Sequence, residues 1–223
     1  MSFSDFSKPV VYQLSYRLTT FCQRRGLKPL AILNGVTLWL GWAGLTWLAF
    51  LVSLLFIEIG EKNDVSVLDG LLGGFIVGLA QWQVLRVHLS GVRCWIMVST
   101  LSWGGLALFP IGAVGWITPS TSDLVSRMLQ GAFYGGYVGL VLGLAQWWMI
   151  RRQVALAWRW VPLNSGIWSV AIACGWLFGG ELRAASGLFV SDVIGLVVAW
   201  GAIAALSGLG IVSLLYPSLD SNL

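Results

Sequence analysis

Charged residues cut the chain into long uncharged runs, from Pro29 to Ile57, Gly70 to Leu85, Cys94 to Ser122, Met128 to Ile150, Trp160 to Gly180 and Val193 to Leu219. Each run is dominated by Leu, Val, Ile, Ala, Gly and Trp, so each predicts a buried or lipid-facing helix. A helix needs about 20 apolar residues to cross roughly 30 Å of hydrocarbon, and five of the six runs reach that length. The second is short. At about 1.5 Å per residue its sixteen residues reach about 24 Å, which places Asp69 and Arg86 at the two interfaces, with a re-entrant segment as the alternative. The pattern therefore predicts six spans.

Composition agrees with this pattern. Of 223 residues, 57% are hydrophobic and only 10% charged, where a soluble domain carries roughly a quarter charged residues. A soluble enzyme, a disordered chain and an ordinary nucleic-acid binder are excluded as leading readings, and no nucleic-acid partner is expected. The bases sort by loop. Lys8, Arg17, Arg24, Arg25, Lys28, Arg86, Arg93, Arg151, Arg152 and Arg159 fall on one side and Lys62, Arg127 and Arg183 on the other. This bias predicts that both ends of the six-span unit face the cytoplasm. Residues 1–28 lack the short apolar core and cleavage site of a removable signal, so the first run is expected to act as the targeting signal. Cys22, Cys94 and Cys174 offer no pair on an oxidising side, and no disulfide is expected.

An internal repeat is written into the chain. Gly78-Leu79-Ala80-Gln81-Trp82 and Gly143-Leu144-Ala145-Gln146-Trp147 are identical and 65 positions apart, and the same offset aligns Gly70 with Gly135, Gly74 with Gly139, Arg86 with Arg151, Trp95 with Trp160 and Trp103 with Trp168. Stepping once more reaches Ala204, Gly208 and Leu209, and stepping back from Asn164 gives Ser99 and Asn34. Three parallel copies are implied, each an αα-hairpin of about 65 residues, spanning roughly 30–87, 94–150 and 160–216. Small residues recur every fourth position, at Gly70, Gly74 and Gly78 and at Gly131, Gly135, Gly139 and Gly143. Such stripes let helix backbones approach closely. The last even helix has Leu196 and Trp200 where glycines stood, which predicts looser packing or a different partner.

The repeated Gly-Leu-x-Gln-Trp word ending in Arg, at Gly78 to Arg86 and Gly143 to Arg151, resembles multi-pass membrane proteins of uncharacterised function that are numerous in cyanobacteria. The resemblance covers the two central hairpins. It implies a membrane bundle in a bacterial plasma or thylakoid membrane, and it brings no activity with it.

Polar positions inside the spans are the candidate chemistry. Gln81 shares a helix face with Gly74 and Gly78, and Asn34, Ser99 and Asn164 enter their helices at similar depth. The expected result is a polar layer of Asn34, Gln81, Ser99, Gln146 and Asn164 near the cytoplasmic interface, left open or apolar on one side by Ile211. These groups read either as interhelical glue or as a ligand-binding site for a small polar group, a lipid or a pigment headgroup. Arg86, Arg151 and Arg152 read as interfacial anchors that touch lipid headgroups, and Trp82, Trp95, Trp147, Trp148, Trp158 and Trp160 as an aromatic belt.

Catalytic sets are sparse. His88 is the one histidine and falls in a loop, while Asp69 and Asp192 sit at outer helix ends and read as solvated or helix-capping charges. Haem, zinc and buried-carboxylate chemistry lack their ligands, no cofactor is identified, and the chain is expected not to be an enzyme. Residues 9–25 place Val11, Leu14, Leu18, Phe21 and Cys22 opposite Gln13, Arg17, Thr20 and Arg24, which predicts an amphipathic basic helix in a cytoplasmic arm, 1–29. The expected fold is all-α: a six-span membrane domain, 30–223, after this arm. The expected function is that of a non-enzymatic accessory or assembly subunit of a membrane complex, in contact with membrane lipids and partner subunits, with a small-solute transporter or channel as the alternative.

Overall fold

The structure, a computed structural model, describes residues 29–61, 64–109 and 111–216. The amphipathic helix expected at 9–25 and Cys22 lie outside the described residues. Within them the chain is all-helical: α1 (Pro29–Ser53), α2 (Val67–Leu85), α3 (Cys94–Leu108), α4 (Leu124–Ile150), α5 (Trp160–Ser186) and α6 (Val190–Leu215). All but α3 are long and apolar enough to cross a membrane, so the chain is a multi-pass membrane helix bundle.

The length expectations fail at two places, for local reasons. The second run gains a turn because Asp69 caps α2. Ser66 Oγ accepts from the Asp69 N–H, the Asp69 carboxylate accepts from the Ser66 N–H, and this reciprocal box starts the helix at Val67, giving it 19 residues. The third run is cut short. Its helix has 15 residues, about 22 Å of rise, and ends at Phe109, whose extended backbone (ψ 161°) is what a residue before proline favours. Gly112 then turns through φ 75°, a left-handed conformation open to glycine without strain. The chain folds back inward, where a short 3₁₀ turn, Val114–Trp116, is buried with its neighbours Ala113, Ile117 and Thr118.

This segment plugs the bundle end left open by the short helices. The Thr118 N–H donates to Gly60 O at 2.9 Å, tying the plug to the loop between α1 and α2. Asp123 opens α4 by accepting from the Ser126 N–H at 2.7 Å. Bonds from Ser126 hold the Asp123 carboxyl below its ordinary range. Gly187 closes α5 at φ 72°, its N–H donating to Arg183 O.

The helices form a closed ring in chain order, with α1 completing it against α6. The sequence pairs each odd helix with the even helix that follows it. Packing follows that pairing for α5 and α6, but it is most extensive between α4 and α5, extensive also between α2 and α3, and lightest between α3 and α4. The glycine stripes are the reason. A Cβ on Gly74 would lie 2.8 Å from Ser99 O on α3, one on Gly139 2.6 Å from Asn164 O on α5, and one on Gly131 2.9 Å from Ala173 Cα. Gly70 and Gly135 meet the carbonyls of Trp103 and Trp168, while Gly78 and Gly143 meet Ser99 and Val161. In lipid, where apolar surface gains little by leaving its solvent, such backbone contact is the main source of helix attachment.

The last even helix takes a different partner. Gly195 and Ala199 of α6 face Gly175 and Gly179 of α5, and Leu196 and Trp200 turn into the core.

Candidate functional site

Two layers of tryptophan fill the middle of the ring. In the first, Trp42, Trp95 and Trp160 come from α1, α3 and α5, and Trp42 meets the other two edge-on at 6.1 Å and 6.3 Å. Each indole N–H is satisfied by an even helix. Trp95 donates to Gln81 Oε1 at 3.0 Å, Trp160 to Gln146 Oε1 at 2.9 Å and Trp42 to Ser207 Oγ at 2.9 Å. The first two pairs are 65 residues apart. The third uses positions unrelated by that offset, because Leu30 and Ile211 stand where Trp95 and Gln81 would recur. Ile211 is buried, and the Trp42–Ser207 bond closes the side on which the sequence leaves the layer open.

The second layer holds Trp103, Trp116, Trp168 and Trp200 with Phe50. Trp103 lies 5.3 Å from Trp168, Trp168 5.2 Å from Trp200, and Phe50 stacks on Trp200 at 4.9 Å and 13°. This layer also holds the plug. Trp200 Nε1 donates to Gly115 O and Trp116 Nε1 to Ser53 Oγ, both at 2.8 Å, so a plug carbonyl and the plug's indole find partners inside the bundle, as a membrane interior demands.

Between the layers lies a cavity lined by Gln81, Ser99, Gln146, Asn164, Ser207 and the surrounding indoles. The free volume for the centre of a water molecule is about 20 Å³, just above the roughly 10–15 Å³ one water needs. A pigment ring or a lipid headgroup does not fit there. Asn164 Nδ2 donates to Gly139 O at 3.1 Å, and Ser99 Oγ, buried, has no partner among the described residues. Four of the five expected layer residues thus come together. Asn34 does not, since its side chain is exposed on α1.

The tryptophans read as a belt divide. Trp148 and Trp158 are exposed, Trp82 and Trp147 half-buried, and Trp95 and Trp160 fully buried in the core. Of the anchors, Arg86 and Arg152 are exposed and Arg151 half-buried. The Arg86 guanidinium lies 5.0 Å from the Trp82 ring, and that of Arg151 3.4 Å from the Trp148 ring.

At the opposite end sits a cluster that the sequence reading misses. Asp192 is buried rather than solvated, and its carboxylate binds Arg127 and, at 2.6 Å, Arg183. Arg127 is itself only 2% exposed; it donates through Nε to Trp176 O at 3.0 Å and through Nη1 to Thr121 O at 3.2 Å. One Arg therefore joins α4, α5, α6 and the segment before α4. A signal for it existed, because Arg127 and Asp192 are 65 residues apart and so occupy one position of the repeat with opposite charges.

Among the described residues no group of three or more His, Cys, Asp or Glu is placed to hold a metal ion. Set beside known proteins, the chain matches no family model, no curated protein and no solved structure.

Proposed function

We propose that this protein is a non-enzymatic subunit of a membrane complex, acting as an accessory or assembly component through its outer helix faces while its interior serves only to hold the ring rigid. The observation that carries the reading is the closed interior: two interlocked tryptophan layers, each indole-to-amide bond made within the bundle, and room between them for about one water molecule. A solute pathway needs polar, water-filled space at mid-membrane depth, and the tryptophans occupy that space. The chemistry supports the same conclusion. The deepest polar groups around the cavity are amides, hydroxyls and indoles, and the one histidine, His88, lies in a loop with Nδ1 3.1 Å from Val84 O. The arginine bias of the loops supports an orientation with 86–93 and 151–159 in the cytoplasm. The repeated Gly-Leu-Ala-Gln-Trp word is what supports a cyanobacterial-type plasma or thylakoid membrane.

The test is purification from native membranes in a mild detergent, with the co-migrating proteins identified and the isolated chain reconstituted for solute flux. A partner retained at fixed stoichiometry, with no flux, is expected. A lone chain that moves a solute across the vesicle wall overturns the proposal.

A further inference from the structure

The loops following α2 and α4 are built alike. Each turns through one left-handed residue, Gly91 at φ 68° and Leu156 at φ 57°, and these are 65 positions apart. Leu156 is the one non-glycine residue with positive φ among those described, so the second loop keeps the turn of the first at the cost of strain. The loops also hold each other. Ser90 donates to Gln153 Oε1 through its N–H and its hydroxyl, both at 3.0 Å, and Gln153 Nε2 donates to Ser90 O at 2.8 Å.

Beside each loop opens a cleft. One, of about 670 Å³, is lined by Trp82, Arg86, Ser90, Gly91, Arg93 and Ile96. The other, of about 530 Å³, is lined by Trp147, Arg151, Arg152, Leu156 and Trp158. The 65-residue offset maps Trp82 onto Trp147 and Arg86 onto Arg151. The second guanidinium is supplied differently, by Arg93 in the first cleft and Arg152 in the second. No acid lines either one.

A guanidinium stacked on an indole keeps its N–H edge free for a planar or tetrahedral oxyanion. Trp82 contributes its ring to the cleft wall, under the Arg86 guanidinium at 5.0 Å. Apolar surface follows below, where Met97 and Leu101 lie exposed on α3. The third copy has Val212 and Tyr216 in place of the tryptophan and arginine, so the arrangement occurs twice.

The geometry points to two headgroup sites, one per cleft, each binding the phosphodiester of an anionic phospholipid between two arginines and a tryptophan, with the acyl chains on the adjoining lipid-facing helices. This inference rests on the membrane placement and is independent of the assembly role, so the two can fail separately.

Native mass spectrometry of the full chain in neutral detergent, titrated with phosphatidylglycerol, phosphatidylcholine or water-soluble glycerophosphoglycerol, tests it. Two phosphatidylglycerols per chain are expected. Arg86→Gln with Arg93→Gln should remove one, weakening that site roughly 30-fold for two guanidiniums, and Arg151→Gln with Arg152→Gln should remove the other. Arg93→Gln alone and Arg152→Gln alone, both at exposed positions, should each weaken only their own site, roughly fivefold for one guanidinium, with the melting temperature unchanged; they serve as the readout should either double variant fail to fold. Equal binding of phosphatidylcholine, stoichiometry unmoved by both arginine pairs, or glycerophosphoglycerol binding as tightly as the lipid would overturn the proposal.

Discussion

Replacing Gly139 by Ala adds one carbon at a tight part of the α4–α5 contact. That Cβ would lie 2.6 Å from Asn164 O, 2.8 Å from Ser165 Cα and 2.8 Å from Trp168 Cβ. None of these atoms is the far end of a flexible side chain, so α5 must move as a body, and the bond from Asn164 Nδ2 to Gly139 O lengthens with it. Overpacking of this kind costs about 1–3 kcal/mol, and with two backbone atoms and a Cβ in the way, none of them free to swing aside, the upper figure applies. Alanine recovers up to about 1 kcal/mol of helix propensity. The net loss is about 2 kcal/mol, a factor of roughly 30 in the folding equilibrium.

Gly166, on α5, is the control, since a Cβ there meets nothing within 4 Å. Its alanine variant should be neutral or more stable by up to about 1 kcal/mol. Reversible unfolding in mixed micelles of a mild detergent and dodecyl sulfate, followed by tryptophan fluorescence, separates the two. Equal stability of Gly139→Ala and Gly166→Ala would refute the claim that backbone approach at the glycine stripe holds the helices together.

Asp192→Asn leaves Arg127 buried without its counter-charge and should cost about 3–5 kcal/mol, while Arg127→Leu with Asp192→Leu should recover most of that loss in the same micelle titration. Gln81→Leu and Gln146→Leu each strand an indole N–H and should destabilise by about 1–3 kcal/mol. The two should match closely, since Trp95 and Trp160 bind them at 3.0 Å and 2.9 Å; losses differing by more than 1 kcal/mol would mean the two positions are not equivalent. Leu156→Gly should raise the melting temperature by relieving a left-handed backbone, about 1 kcal/mol, and Gly91→Leu should lower it.

The helices were legible in the sequence because lipid imposes a simple rule: uncharged runs must satisfy their own backbone, and Leu, Gly and Trp report that directly. The glycine stripes were legible for the same reason, as faces on which a neighbouring backbone comes close. Hairpin pairing was legible only for α5 and α6. Chain order suggests that α1 pairs with α2, but the pairing follows which helix the glycine face meets, and periodicity alone does not say whether the preceding or the following helix lies there. The plug at 112–118 was hidden because an uncharged run reads as helix until a local break such as Phe109–Pro110 is weighed above hydropathy. Within the site, Gln81 and Gln146 were found from helical spacing, and their partners Trp95 and Trp160 were misplaced at the interface because an indole near a helix start suits a belt and a core equally well. Asn34 followed the repeat in sequence but not in burial, since the first copy meets Trp42 and Ser207 instead.

The closed interior is open to direct measurement. In a variant lacking the native thiols, single cysteines at Ser99, Val77 and Ile203 line the cavity, and a small water-soluble thiol reagent can be applied to either side of oriented vesicles, with a cysteine at the exposed Arg93 as the positive control. No reaction at the three interior sites from either side, with Arg93→Cys fully labelled, is the result the account predicts. Rapid labelling of Ser99→Cys from one side and of Ile203→Cys from the other would show a water-filled path through the tryptophan layers and contradict it.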